Sequence, residues 1–530
     1  MRAKYTVAFT LLLLLAAVSA YATADLLLVL NPAPDERVDP GALVTYRFLV
    51  VNHGPDPADV RLIHPLPPGG HFVAVNNPRW SCGETGGAVV CLRRIQFTGL
   101  FDDSYVNLTI VAPDDPAGVR FTGTTRLESD QTDPYPSDLS VTVKMVVYRT
   151  FTVTTPEDFG GGSLRDAIER SNDGCRGELP CKIRFAQPMR IAPRAPLPPV
   201  AGCDLLIEGG PYEPATRNRS FDVPRRVEIS GRELTRGSGF TITAECAEPA
   251  FHRGPTLRAL AIHSFPDNGI EVAAPAASSV TVEGCFIGTD AAGQVAAPNF
   301  RGISFAAPEA WGRIADCLVA GNLRSGIAIW SAGRPTIDLT GNLIGVRFGG
   351  APLPNGASGV FINGGQVQSR YNAIEYNGEF GVAIGSGAAH FVSYQDYIVN
   401  NGGIAVDWGL DGPTGADAAF RMPPVPRLID AVYDPGAGVT RVRGVLPVDA
   451  QLPRDFYFLY VYAGGATDFQ GGVLIGGRPL GQAQGRDIPF EVALRGDWRA
   501  QTITALSSRA FLPDNADVDS SELSAAIVVR

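Results

Sequence analysis

A glycine followed by alternating apolar residues returns six times between residues 269 and 406. The copies are Gly269-Ile270-Glu271-Val272, Gly302-Ile303-Ser304-Phe305, Gly326-Ile327-Ala328-Ile329, Gly359-Val360-Phe361-Ile362, Gly381-Val382-Ala383-Ile384 and Gly403-Ile404-Ala405-Val406. Their start-to-start spacings are 33, 24, 33, 22 and 22 residues, a unit of about 22 with about eleven more in the two long ones. Both extensions follow an Ile-Gly pair, Ile287-Gly288 and Ile344-Gly345. A unit this short with no helical period cannot bury its own apolar side, so neighbours must stack to make a core. The repeat predicts coils of a parallel β-helix over about 150–410. A second strand in each coil ends at Cys285, Cys317, Asn342, Asn372 or Asp396, and asparagine suits such a place because stacked amides bond along the axis.

Alternate positions on the repeated strand point outward. One row reads Glu271, Ser304, Ala328, Phe361, Ala383, Ala405 and the next reads Ala273, Ala306, Trp330, Asn363, Gly385, Asp407. Trp330 and Phe361 become diagonal neighbours on a face of small residues. An exposed aromatic pair there suits stacking on sugar rings, with Asn363 and Asp407 as hydrogen-bonding groups. The competing reading is that another domain or a loop covers the pair.

The chain has eight cysteines and no CxxC, which weighs against zinc and redox sites. Cys82 and Cys91 flank the turn at Gly86-Gly87, and Cys175 and Cys181 can close a small loop. Cys285 and Cys317 hold the same place in consecutive coils, about 5 Å apart, within disulfide range. A Cys285–Cys317 bridge is therefore expected, leaving Cys203 to Cys246; two free buried thiols are the alternative. Disulfides fit export, and the start of the chain agrees. Arg2 and Lys4 precede an apolar run from Val7 to Val18, and Ala22-Thr23-Ala24 offers a cleavage site, so residues 1–24 read as a signal peptide. The expected location is secreted, cell-surface or periplasmic, with no transmembrane segment after cleavage.

Gly (60) and Pro (42) are abundant enough to favour short strands and turns throughout, and a net charge of −10 speaks against nucleic acid as a partner. Evenly spaced alternating segments predict a β-sandwich over 25–147 and, after Pro423-Pro424-Val425-Pro426, a second over 421–530. The expected class is all-β, a right-handed parallel β-helix flanked by two β-sandwiches. No cofactor is expected; calcium is compatible with Asp130, Asp133 and Asp138, where solvated loop carboxylates are the competing and preferred reading, and with Asp514, Asp517, Asp519 and Glu522, whose spacing is not that of an EF-hand loop.

Three resemblances go with these readings. The run GALVTYRFLVVNHGPDPADVRLIHPLPPG, with Trp80-Ser81-Cys82 and TDPYPSD, resembles the Ig-like conserved-repeat domain of bacterial surface proteins, which implies a spacer. TFTVTTPEDFGGGSLRDAI resembles the CSLREA-type segment that precedes secreted β-helices, with Gly162 in place of the usual leading Cys. IGTDAAG and GNLRSGIAIW resemble right-handed parallel β-helix repeats of secreted proteins, a superfamily that holds pectate lyases, polygalacturonases and non-catalytic adhesins. Such a fold does not decide function.

Glycosidases of this fold need aspartates with a His and an Arg-x-Lys; the coils have no such triplet and no Gly-His-Gly. Their carboxylates are scattered: Glu283, Asp290, Asp316, Asp338, Glu375, Asp396 and Asp407. Paired carboxylates about 5–9 Å apart can hydrolyse glycosides, and Glu375 with Asp396, in adjacent coils, is a candidate pair; solvated surface acids are the competing and preferred reading. His263 and His390 stand alone, and Arg324, Arg347 and Arg370 stand in no motif. The expected function is a non-catalytic, adhesin-like or carbohydrate-binding extracellular protein. The alternatives are a polysaccharide lyase or glycoside hydrolase, and a structural stalk without a ligand.

Overall fold

The computed structural model describes residues 24–96, 105–212, 221, 223–246, 254–273, 279–331, 333–385, 389–412, 422–448, 456–464, 472–482, 487–510 and 518–530. Apart from Ala24, the expected signal peptide lies outside them, as do Asp514 and Asp517. The chain divides into two compact units, with the boundary between Thr150 and Phe151. Among the described residues no helix is long and apolar enough to cross a membrane.

The first unit holds a four-stranded and a six-stranded sheet, almost wholly antiparallel. Alternation sets the packing of the first half of Leu43–Asn52, where Val44, Tyr46 and Phe48 are buried and Leu43, Thr45 and Arg47 are exposed; from Phe48 on every residue is buried. Cys82 and Cys91 are register partners on neighbouring strands and are bonded. Two of the acids weighed for calcium accept from the backbone. Asp130 accepts from Asp59 N at 2.8 Å, and Asp133 from Leu26 N at 2.6 Å and Tyr135 N at 2.7 Å. Among the described residues no group of three or more His, Cys, Asp or Glu side chains is placed to hold a metal.

The second unit is a parallel β-helix that begins under a short helix, Leu164–Gly174. Ser163 caps that helix by accepting from Asp166 N at 3.1 Å. Leu164, Ala167 and Ile168 close over the first coil, and the Cys175–Cys181 disulfide follows directly. Three parallel sheets of nine, eight and seven strands then run the length of the stack. Their last strands are Ala389–Tyr394 (sheet 1), Tyr397–Val399 (sheet 2) and Val406–Trp408 (sheet 3). Ile270, Ile303, Ile327, Val360 and Val382 lie one over another in sheet 3, each fully buried. The next rung is Val406, where the repeat pattern placed Ile404. The last turn uses two more residues, and the shift puts Trp408 inside.

The turns between sheets are held by two side-chain ladders. Asn342 N and Nδ2 both donate to Asn372 Oδ1 at 2.9 Å, and Asn372 does the same to Asp396 Oδ1. Asn299, Asn322, Asn355, Asn377 and Asn401 form the second ladder, amide to amide at 2.9–3.1 Å.

Cys285 and Cys317 occupy the first two rungs of the first ladder, and both thiols are free and buried, so the expected bridge is not formed. The register was right: Phe286 pairs with Leu318, and the cysteines precede them. Each sulfur instead lies against carbonyls, Cys285 Sγ at 3.5 Å from Leu257 O and Cys317 Sγ at 3.4 Å from Val282 O. Cys285 N donates to Cys317 Sγ at 3.4 Å, as an Asn rung would arrange. Side chains that leave equivalent backbone in the same direction stack like steps and do not turn towards one another. Cys203 and Cys246 are bonded.

The eleven-residue extensions fold back over sheet 2. Small antiparallel bridges, Thr289 to Ala296 and Val346 to Pro352, close them. With Phe221 they bury the outward residues Phe286, Leu318 and Ala320 in a secondary apolar cluster.

Two antiparallel sheets follow the last coil, built on Arg427–Asp434, Val439–Leu446 and Ile488–Arg495 and on Val473–Gln482, Phe456–Ala463 and Thr502–Ala510. Met422, Tyr462, Leu506 and Leu523 continue the core of the β-helix. Trp408 N donates to Glu522 Oε1 at 3.2 Å and its indole N–H to Ser520 O at 3.1 Å.

Candidate functional site

Sheet 3 is pleated so that Ile329 and Ile362 point inward and the residues beside them point out. Ile329 pairs with Ile362 and Ile362 with Ile384, so Trp330, Asn363 and Gly385 follow one another at the strand ends. Phe361 lies one residue back, between Ala328 and Ala383. The Trp330 and Phe361 rings are 4.4 Å apart, tilted by 34°. Trp330 is 44% exposed and Phe361 is half-buried, so the pair presents ring surface to solvent.

Small neighbours leave the rings open. Ala328 and Ala383, on either side of Phe361, are buried beneath the surface. A β-carbon at Gly385 would touch Phe361 Cζ and Asn363 Oδ1 at 3.5 Å and Leu410 Cδ1 at 3.4 Å. The patch therefore continues past Gly385 to Leu410, itself an exposed apolar residue.

Arg301, which the sequence reading did not single out, closes the other end. Its guanidinium carbon is 5.1 Å from the Trp330 ring centroid and 4.8 Å from that of Phe300. Burial, with Arg324 nearby, holds its pKa below the ordinary value. A cation over the rings strengthens a stacking surface and gives it donors for hydroxyl or anionic groups. Its signal was available: Arg301 opens the strand one coil before Trp330.

Asp407 does not belong to this surface. The two-residue shift in the last coil pairs it with Ala383, and it is fully buried. Its Oδ1 accepts from Leu410 N at 3.1 Å and its Oδ2 from Gly412 N at 3.2 Å. Burial raises its pKa against these bonds. It shapes the loop that presents Leu410.

The other carboxylates of the coils are mostly engaged. Glu283 pairs with Arg258 at 3.0 Å and Arg313 at 2.9 Å, Asp338 with Arg370 at 3.3 Å, and Asp316 accepts from the Tyr212 hydroxyl at 2.6 Å. Asp290 accepts from Gln294 N and Val295 N within its loop, where Arg347 reaches Gln294 at 3.0 Å. Asp396 is enclosed in its ladder, and Ser393 donates to its Oδ2 at 2.7 Å. It therefore shares no open space with Glu375, which points outward from sheet 2 and is pushed up to about 7 by burial. His263 is buried beside Glu228, and His390 lies on the outer face of sheet 1 in register with Gln366.

No family model matches the chain, and no curated protein does. Solved structures similar to it include two bacteriophage tailspikes. One is the tailspike protein gp49 from Acinetobacter baumannii bacteriophage Fri1, a capsular polysaccharide depolymerase, at 9% identity and a TM-score of 0.25, over 74% of this chain and 88% of that one. The other is the full-length tailspike protein 2 from Escherichia coli O157:H7 bacteriophage CAB120, at 11% identity and a TM-score of 0.17, over 65% and 63%.

Proposed function

We propose that this chain is an exported, non-catalytic carbohydrate-binding protein of the cell surface or extracellular space, and that sheet 3 carries the binding face. The observation that carries this reading is the solvent-facing Trp330–Phe361 pair, 4.4 Å apart on a floor of small residues. Sugar rings present C–H faces that stack on such rings, and Asn363 and Arg301 supply polar partners at the rim. Three disulfides support an oxidising compartment. The test is glycan-array binding by the wild-type chain and by Trp330→Ala. Binding should fall at least tenfold, and an unchanged profile sinks the assignment.

One observation favours a second reading, a polysaccharide lyase or hydrolase. Glu375, at about 7, is poised to gain or lose a proton near neutrality. Incubation with acidic polysaccharides decides between the two. A lyase would release an ultraviolet-absorbing unsaturated product, and a hydrolase new reducing ends, and either would be abolished by Glu375→Gln.

A further inference from the structure

The margin of sheet 3 where the chain enters each strand carries two arginines that meet no carboxylate. Arg301 opens Arg301–Phe305, and Arg324 occupies the same turn one coil on, its N donating to Phe300 O at 2.8 Å. Both guanidiniums gather on one ring: their central carbons lie 4.8 Å and 5.9 Å from the Phe300 centroid. Arg301 also reaches Trp330, at 5.1 Å. Arg301 is half-buried and Arg324 exposed, so the pair borders the Trp330–Phe361 surface and is open to solvent.

Other arginines on the coils are neutralised. Arg190 pairs with Glu228 at 2.8 Å, Arg258 with Glu283 at 3.0 Å, Arg313 with Glu283 at 2.9 Å and Arg370 with Asp338 at 3.3 Å. Among the described residues neither Arg301 nor Arg324 forms an ion pair. The acids of neighbouring coils are engaged elsewhere. Asp267 accepts from Gly237 N at 2.6 Å, Glu271 from Ser238 Oγ at 2.9 Å and Glu379 from Ser358 Oγ at 3.3 Å. Two like charges on a partly buried surface repel, and burial together with Arg324 holds the Arg301 pKa below its ordinary value. Among the described residues no acid offsets that repulsion. An anion held by the two forks would.

We infer that the sheet 3 face takes an acidic oligosaccharide, with its rings against Trp330 and Phe361 and a carboxylate or sulfate on Arg301 and Arg324. This rests on the carbohydrate reading above and adds the class of sugar. The test is an array that pairs uronate oligosaccharides with their methyl esters and sulfated glycans with their unsulfated parents, probed with the full chain. In at least one pair the acidic member should bind about tenfold more tightly than its neutral counterpart, and the pair that does so identifies the anion. Arg301→Gln and Arg324→Gln should each remove most of that preference. Arg324 is exposed, so its substitution tests the charge without the packing that Arg301 also supplies. Arg370→Gln removes the same charge from sheet 1 and should leave the preference unchanged, while Trp330→Ala should weaken binding to both members. Binding that depends on Trp330 but is equal within every pair overturns the inference and leaves the carbohydrate reading standing. A preference untouched by both arginine variants, with the circular dichroism and melting temperature of wild type, overturns it as well. Absence of binding to any member overturns both.

Discussion

The two ladders inside the β-helix do the same job with different chemistry. The second is asparagine throughout. Each Nδ2 donates to the next Oδ1 and to a carbonyl of the preceding coil, as Asn355 does to Asn377 at 2.9 Å and to Val319 O at 3.0 Å. The first is asparagine only in its middle, with Cys285 and Cys317 at one end and Asp396 at the other. An amide both donates and accepts, so it can repeat without limit. A thiol accepts weakly, and a carboxylate only accepts. Asp396 therefore suits the final rung, where no further ladder partner awaits a donor. Its enclosed charge raises its pKa to about 6, against hydrogen bonds that pull the other way.

The largest expected effect comes from breaking the uniform ladder. Asn355→Leu strands the Asn322 backbone N–H and the Asn377 amide oxygen, both buried, while the Asn322 amide keeps its bond to Ile287 O. Each unsatisfied group costs about 1–3 kcal/mol, so urea unfolding should show a loss of at least about 2 kcal/mol. A loss below about 1 kcal/mol would mean that the ladder is incidental. Next is Asp396→Asn, which makes the mixed ladder end as the other does. Because the folded carboxyl titrates above its ordinary value of 3.8, the cost to folding builds as the pH rises from 3.8, is complete above about 6, and is gone below 3.8. The variant should thus be more stable than wild type by about 3 kcal/mol at pH 8 and no more stable at pH 3.5. A gain that persists at pH 3.5 would exclude titration as its cause. The smallest effect is expected at the thiols: Cys317→Ser should cost about 1 kcal/mol or less. Alkylation in denaturant without reductant should label Cys285 and Cys317 and no other cysteine; a resistant pair would restore the bridge.

The stack was legible because Gly-Ile-x-Ile recurs with the register of a coil, and five of its six copies lie where the spacing put them. The sixth misled for a physical reason. Gly403-Ile404-Ala405-Val406 has the alternation of a strand, but the shifted frame buries Val406 and Trp408, and the larger indole prevails. A corrective signal was present. Asn322, Asn355 and Asn377 each stand four residues before the strand-opening glycine, and Asn401 stands four before Ala405. That spacing gives the right frame and would have withdrawn Asp407 from the outer row. Separation alone favours a Cys285–Cys317 bridge, whereas bonding also depends on the direction in which side chains leave the backbone. The contact of Tyr394 with Tyr460 escaped notice because the two are far apart in sequence and meet only when the last sheets fold onto the coil.

The anchoring of Trp408 by Ser520 and Glu522 has a consequence for how such a chain can change in length. A stack of identical layers has no internal reason to stop, and a bare top layer would offer its strand edges to another molecule. Here the top layer is committed to a dissimilar partner through the Trp408 indole and the Glu522 carboxylate. New layers are accommodated more readily by duplication within the pile than by addition at that end, and self-assembly into fibres through the edge of sheet 3 is opposed.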